Sequence, residues 1–162
     1  LPPYRVEIET WGKAFGDVVF GFGTDLLVSE RFASLWKEAG LVGLDGFDPV
    51  EIVKVVRRAR LKDDPPRYFR VDVVRSRAAI DDAASALERE GESVCPDCRL
   101  GGIIHRARRI VLEPSPLPVE DVFVARGLPG TILASERFRA FCISQNILNA
   151  VLIPASEFSF GI

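Results

Sequence analysis

The sequence predicts one α+β domain: pseudo-duplicated strand–helix–strand units around a shared mixed or antiparallel sheet, with a middle insertion. Three observations carry that expectation. The chain has 162 residues, of which 48% are hydrophobic and 27% charged, enough to bury one sizeable core. The segment from Gly21 to Phe32 returns from Gly127 to Phe138, with the same four residues at Ser29-Glu30-Arg31-Phe32 and Ser135-Glu136-Arg137-Phe138. Each copy is led by an acid and an apolar stretch, Asp17-Val18-Val19-Phe20 and Asp121-Val122-Phe123. Two copies are too few for a solenoid. The expected division of the single domain, 1–162, is repeat 1 at about 17–56, an insertion at about 57–118 and repeat 2 at about 119–162.

Within each copy the local signals agree. Leu26-Leu27-Val28 and Ile132-Leu133-Ala134 read as short buried strands. Ser29 and Ser135 stand where helix N-caps belong, their hydroxyls accepting from otherwise unpaired backbone N–H groups. Glu30 and Glu136 fall in the first turn, which the helix dipole favours. Phe32, Leu35, Trp36 and Ala39 form one helical stripe, and Phe138, Phe141 and Cys142 its counterpart. Gly40 and Asn146, tolerant of left-handed backbone, end the helices. Strands are expected at Leu41–Leu44 with Val50–Val56, and at Ala150–Ile153 with Phe158–Phe160. Between the copies, Asp63-Asp64-Pro65-Pro66 reads as a turn and Tyr68–Val74 alternates as a half-buried strand. Ile80–Glu90 reads as a helix capped by Asp81 or Asp82 and stopped at Gly91. Pro114–Pro118 is a stiff linker.

Composition excludes several classes. A formal charge of −2 and a pI near 5.5 argue against a strongly basic nucleic-acid binder. Three cysteines do not make a secreted disulfide framework. The opening residues, Leu1-Pro2-Pro3-Tyr4, carry no apolar signal core. The longest uncharged run, Ala140–Ser156, contains Ser144, Gln145, Asn146, Asn149 and Pro154 and makes a poor membrane span. A cytoplasmic location is expected.

Cys95-Pro96-Asp97-Cys98 is the sharpest chemical motif. Two thiolates at this spacing can hold one side of a tetrahedral zinc, which needs four ligands. His105, seven residues after Cys98, is the nearest further candidate; an ordinary strand histidine is the other reading. Cys142 aligns with Trp36 on the buried stripe and reads as a core cysteine. The motif also reads as a half-site or as a tight turn. A redox role is disfavoured because Arg99-Leu100-Gly101-Gly102 follows instead of a helix. Gly21-Phe22-Gly23 lacks the third glycine of a dinucleotide loop. The duplicated Ser-Glu pairs point to capping rather than catalysis.

Two basic clusters stand out. Arg57, Arg58, Arg60 and Lys62 lead to Arg67 and Arg70, and Arg99, Arg106, Arg108 and Arg109 flank the cysteines. They suit phosphate contact, a solvated face or an acidic protein partner. The last two fit better, because Asp63, Asp64, Glu88, Glu90 and Glu92 lie close in sequence. At the C-terminal end, Phe158, Phe160 and Ile162 alternate with Ser159 and Gly161, as a half-buried strand or an apolar docking edge would.

These residues resemble a family. Asp121–Gly130 with Ser135–Phe138 and Val151–Pro154 looks like the C-terminal end of the double-CxxCG proteins of myxobacteria and relatives. Leu26–Phe32 with Gly40–Gly43 looks like their middle section. Ile80-Asp81, Cys95–Cys98 and Ile110–Leu112 look like the surroundings of their second cysteine motif. The chain departs from the pattern in having one C-x-x-C, with Arg99 where the family has glycine. The resemblance implies a non-enzymatic immunity protein that neutralises a cognate polymorphic toxin by direct binding. Partner contact is expected at Arg57, Arg58, Arg60, Arg106, Arg108 and Arg109. No cofactor is needed; zinc at Cys95, Cys98 and His105 is the one candidate. The alternative is a zinc-ribbon-like nucleic-acid-binding or regulatory module.

Overall fold

A computed structural model describes residues 4–21, 25–58, 61, 63–91 and 95–161. It shows a mixed α+β protein of mostly strands with two helices. In chain order these are β1 (Tyr4–Thr10), β2 (Val18–Phe20), β3 (Leu26–Ser29), α1 (Glu30–Glu38), β4 (Leu44–Arg57), β5 (Tyr68–Val73) and β6 (Arg75–Ala79), then β7 (Glu88–Arg89), β8 (Ile104–Arg106), β9 (Val122–Arg126), β10 (Leu133–Ala134) and α2 (Glu136–Ser144). Among the described residues no helix is long and apolar enough to cross a membrane.

The larger sheet runs β1-β4-β5-β3-β2 and the smaller β10-β9-β6; β7 and β8 form a separate ribbon. Pairing is antiparallel except for β1 with β4 and β6 with β9. Val74 alone separates β5 from β6, so the chain passes directly from one sheet into the other. Its N–H donates to Gly43 O at 3.1 Å and its carbonyl accepts from Val124 N at 2.9 Å. The two hairpins have matching registers: Val18 faces Val28 and Val19 faces Leu27, while Val122 faces Ala134 and Phe123 faces Leu133. Only the first has the buried strand expected of both: β3 is buried throughout, whereas β10 omits Ile132 and leaves Leu133 half-buried and Ala134 exposed.

The helices begin as the sequence predicts. Ser29 Oγ accepts from Phe32 N and Ser135 Oγ from Phe138 N, both at 3.1 Å. Gly40 and Asn146 follow the two helices with φ of 60° and 50°. The helices face one another across Phe32, Trp36, Phe138 and Phe141, whose ring centroids lie 5.8–6.4 Å apart. Val18, Val28, Leu44, Val71 and Val122 from the sheets close this core, and Cys142 is buried within it. Ala39 is exposed at the C-cap of α1, so the stripe ends at Trp36.

One set of polar contacts occurs twice. Asp17 Oδ1 accepts from Ser29 Oγ at 2.6 Å, and Asp121 Oδ1 from Ser135 Oγ at 2.8 Å. Asp17 Oδ2 accepts from Arg31 Nη1 and Leu148 N, as Asp121 Oδ2 does from Arg137 Nη1 and Val42 N. Arg31 continues to the C-cap carbonyl of α2, at Gln145, at 2.5 Å. Arg137 continues to that of α1, at Ala39, at 2.6 Å. Each arginine thus ties its own helix start to the other helix's negative end, where a cation is favoured.

Three other expectations need correction. Ile80–Glu90 is not a helix. Asp81 caps a single turn, with its Oδ1 accepting from Ala84 N at 2.9 Å and its carbonyl from Ser85 N. The fully buried Ser85 hydroxyl then exchanges hydrogen bonds with the N–H and C=O of Val111. Ala86 turns left-handed at φ 48° and ends the turn. Such side-chain bonding competes with helix continuation. Ala150–Ile153 and Phe158–Phe160 are not strands; only Phe160 makes a bridge, to Ala107. Phe158 and Phe160 pack half-buried on Ile80, Ala107, Ile110 and Leu128, whereas Val151 and Ile153 are exposed; Ile162 lies outside the described residues. Leu41–Leu44 is strand only from Leu44, because Gly43 takes φ 119° against Val122 O.

Candidate functional site

The cysteine motif folds as a tight turn. Arg99 N donates to Cys95 O at 2.9 Å, and Cys98 N to Cys95 Sγ at 3.3 Å. Arg99 has φ 56°, a left-handed backbone usually given to glycine. Its guanidinium compensates by bonding Glu113 Oε1 at 2.5 Å and Ile80 O at 3.3 Å. Arg126, at the end of β9, clasps the turn through the carbonyls of Asp97 and Pro96. The Cys95 thiol is drawn below its ordinary pKa, first by the hydrogen bond from the Cys98 side chain and then by backbone bonding at Cys98 and Asp97.

The structure brings Cys95 and Cys98 together but engages His105 elsewhere. His105 Nε2 lies 3.3 Å from Glu90 Oε2 on the exposed β7–β8 ribbon. Among the described residues no three His, Cys, Asp or Glu side chains gather as a metal-binding group. A tetrahedral zinc needs four donors, and the turn supplies two, with the Arg126 guanidinium fixed beside them. These residues do not by themselves make up a zinc site.

Most of the arginines expected at the partner contact are engaged where they stand, two of them by carboxylates. Arg58 bonds Glu9 Oε1 at 2.5 Å and lies over the Trp11 ring at 5.6 Å. Arg57 reaches Asp63 O at 3.3 Å, Arg106 lies 3.6 Å from Glu88, and Arg109 Nε donates to Ala84 O at 2.7 Å. Arg60 lies outside the described residues. Arg108 is exposed, and its side chain has no described partner.

A different arginine group lines a cavity of about 640 Å³ between β6, β9 and the cysteine turn. Arg75, Arg77 and Arg126 surround it, with Cys98 and Asp97 at one side and Val73, Leu100, Val124, Ala125 and Pro129 supplying apolar wall. β6 bulges here: Arg75 pairs with Val124 but Ala79 with Arg126. Such bulges re-aim side chains. Buried Ser76 anchors the bulge, its Oγ donating to Glu120 Oε2 at 2.7 Å and accepting from Ala78 N at 3.2 Å. Sequence reasoning missed this group. Its local signal was Arg75-Ser76-Arg77-Ala78, a period of two that puts both arginines on the side opposite the buried Ser76 and Ala78.

In comparisons with known proteins, no family model matches the chain and no curated protein matches its sequence.

Proposed function

We propose that the chain is a non-enzymatic binding protein of the immunity type, which neutralises a cognate polymorphic toxin in the cytoplasm by direct contact. The reading rests on the resemblance to double-CxxCG proteins. The observation that best supports it is the pair of Asp–Ser–Arg contact sets, one from each copy, holding the helices against each other. Toxin occlusion needs a stiff scaffold that presents fixed polar groups, because ordering loops on contact lowers affinity. We also read the two matched units as a duplicated ancestor, with the segment carrying the cysteine turn inserted between them.

The test is capture of the tagged chain from its native cells, followed by reconstitution with the purified partner. A stoichiometric toxin domain, whose toxicity is suppressed by co-expression of this chain, supports the reading. Charge reversal at Arg106 and Arg108 then weakens binding without lowering the melting temperature if that cluster faces the toxin. Recovery of nucleic acid, or of a partner whose activity the chain does not inhibit, overturns it.

A further inference from the structure

The arginine cleft has a charge arrangement that the fold does not explain. The described chain gives nearly every arginine a partner: carboxylates for Arg5, Arg31, Arg58, Arg67, Arg70, Arg99, Arg106, Arg137 and Arg139, and carbonyls for Arg57, Arg109 and Arg126; Arg89 has both. Among the described residues, the arginines without a side-chain hydrogen bond or ion pair are Arg75, Arg77 and Arg108. Two of these three line the same cleft, beside Arg126. Three arginines and one acidic residue, Asp97, thus line the cleft, and Arg75 and Arg77 are exposed to an incoming ligand. Like charges held together are unfavourable unless something negative joins them.

The cleft is also organised. Ser76 is fixed to Glu120 and to its own strand, which holds the backbone between Arg75 and Arg77. Arg126 is held by two carbonyls of the cysteine turn. Guanidinium groups bind carboxylates and phosphates bidentately. The remaining wall is mostly apolar, and the volume lies within the range of small-molecule sites. Asp97 in the lining and Glu120 on Ser76 would oppose an extended polyanion, so a ligand of the cleft's own size fits best.

We propose that this cleft binds a small organic anion, a phosphate monoester or carboxylate on an apolar body, with Arg75 and Arg77 clamping the charge and Val124, Leu100 and Pro129 covering the body. The site acts without a toxin partner and is independent of the immunity reading.

The experiment is calorimetric and ¹H–¹⁵N NMR titration of the whole chain with phenyl phosphate, phenylacetate and neutral benzyl alcohol. Saturable 1:1 binding of at least one anion is expected, with shifts centred on residues 73–77 and 124–126. The tighter anion identifies the headgroup. Arg75→Ala with Arg77→Ala should weaken it at least tenfold without lowering the melting temperature, and Arg77→Lys should lose less. Arg108→Ala, an exposed arginine away from the cleft lining, should retain full affinity. The proposal is overturned if neither anion saturates, if benzyl alcohol binds equally well, or if the Arg108 variant loses as much as the double variant.

Discussion

Replacing Asp121 with alanine tests whether the paired polar contacts hold the scaffold. Asp121 is 5% exposed and accepts three hydrogen bonds, from Ser135 Oγ at 2.8 Å, Arg137 Nη1 at 2.9 Å and Val42 N at 3.0 Å. Truncation removes the acceptor of the Val42 N–H and of the Ser135 hydroxyl; Val42 is 50% exposed, so water can take over the first, and each bond counts for about 1 kcal/mol. The Arg137 side chain is 56% exposed, so its ion pair adds only about 0–1 kcal/mol after solvent screening. The loss should be about 2–3 kcal/mol, which for a chain of this size lowers the melting temperature by about 4–12 °C. Asp17→Ala should cost the same within about 1 kcal/mol, since it removes the acceptor of the equivalent Leu148 N–H and Ser29 hydroxyl. Urea unfolding followed by circular dichroism measures both, and an unchanged slope with denaturant shows that the unfolded state is unaffected. A loss below about 1 kcal/mol for either variant would refute the assignment of these carboxylates as the clasp of the fold.

Three further outcomes follow from local geometry. Arg99→Gly should be milder than Arg99→Ala by about 1 kcal/mol: both lose the Glu113 and Ile80 contacts, but only glycine relieves the left-handed backbone; thermal melts rank them. Gly43→Ala should cost more than about 3 kcal/mol or prevent folding, because an added Cβ would lie 1.9 Å from Val122 O at φ 119°; soluble yield and melting temperature report it. Burial raises the Cys142 thiol to about 11, and burial with the charge of Asp17 raises the Tyr68 hydroxyl to about 12. Both groups favour the neutral form in the fold, so their contribution is complete below the unfolded thiol value near 9 and is lost as pH rises through 11–12. Stability should fall steeply above about pH 9, and Cys142→Ala should flatten that fall between pH 9 and 11 if the assignment holds.

What was legible in the sequence was what is written within a few residues. The serine caps, the glutamates after them and the left-handed stops at Gly40 and Asn146 are short-range signals, and each is found in place. The helix expected at Ile80–Glu90 failed because its competitor was remote: Ser85 bonds Val111, 26 residues away. β1 was missed as well. Its alternation of Tyr4, Val6 and Ile8 with Arg5, Glu7 and Glu9 was a readable strand signal, but its parallel partner β4 lies some 46 residues on, at Tyr4 and Val50, and is not announced locally. The cleft was divided among β6, β9 and the cysteine turn, so only the Arg75–Arg77 spacing was readable.

The four-residue match at the head of each helix shows how far such reading reaches. Serine was assigned from its neighbours as a cap and glutamate from the helix dipole. The phenylalanines could be placed inside, although not against each other; Phe32 and Phe138 meet with centroids 6.4 Å apart. Arginine had no local explanation. In the structure Arg31 reaches 114 residues to Gln145 O, and Arg137 reaches 98 residues back to Ala39 O. Each of these arginines therefore has one partner nearby in sequence, Asp17 or Asp121, and a second at the end of the other helix. This reciprocity makes each half incomplete alone: Asp17 needs Leu148 N, and Asp121 needs Val42 N. The two helices and the strands that lead into them should accordingly unfold as one cooperative unit, since releasing either helix breaks polar contacts of both.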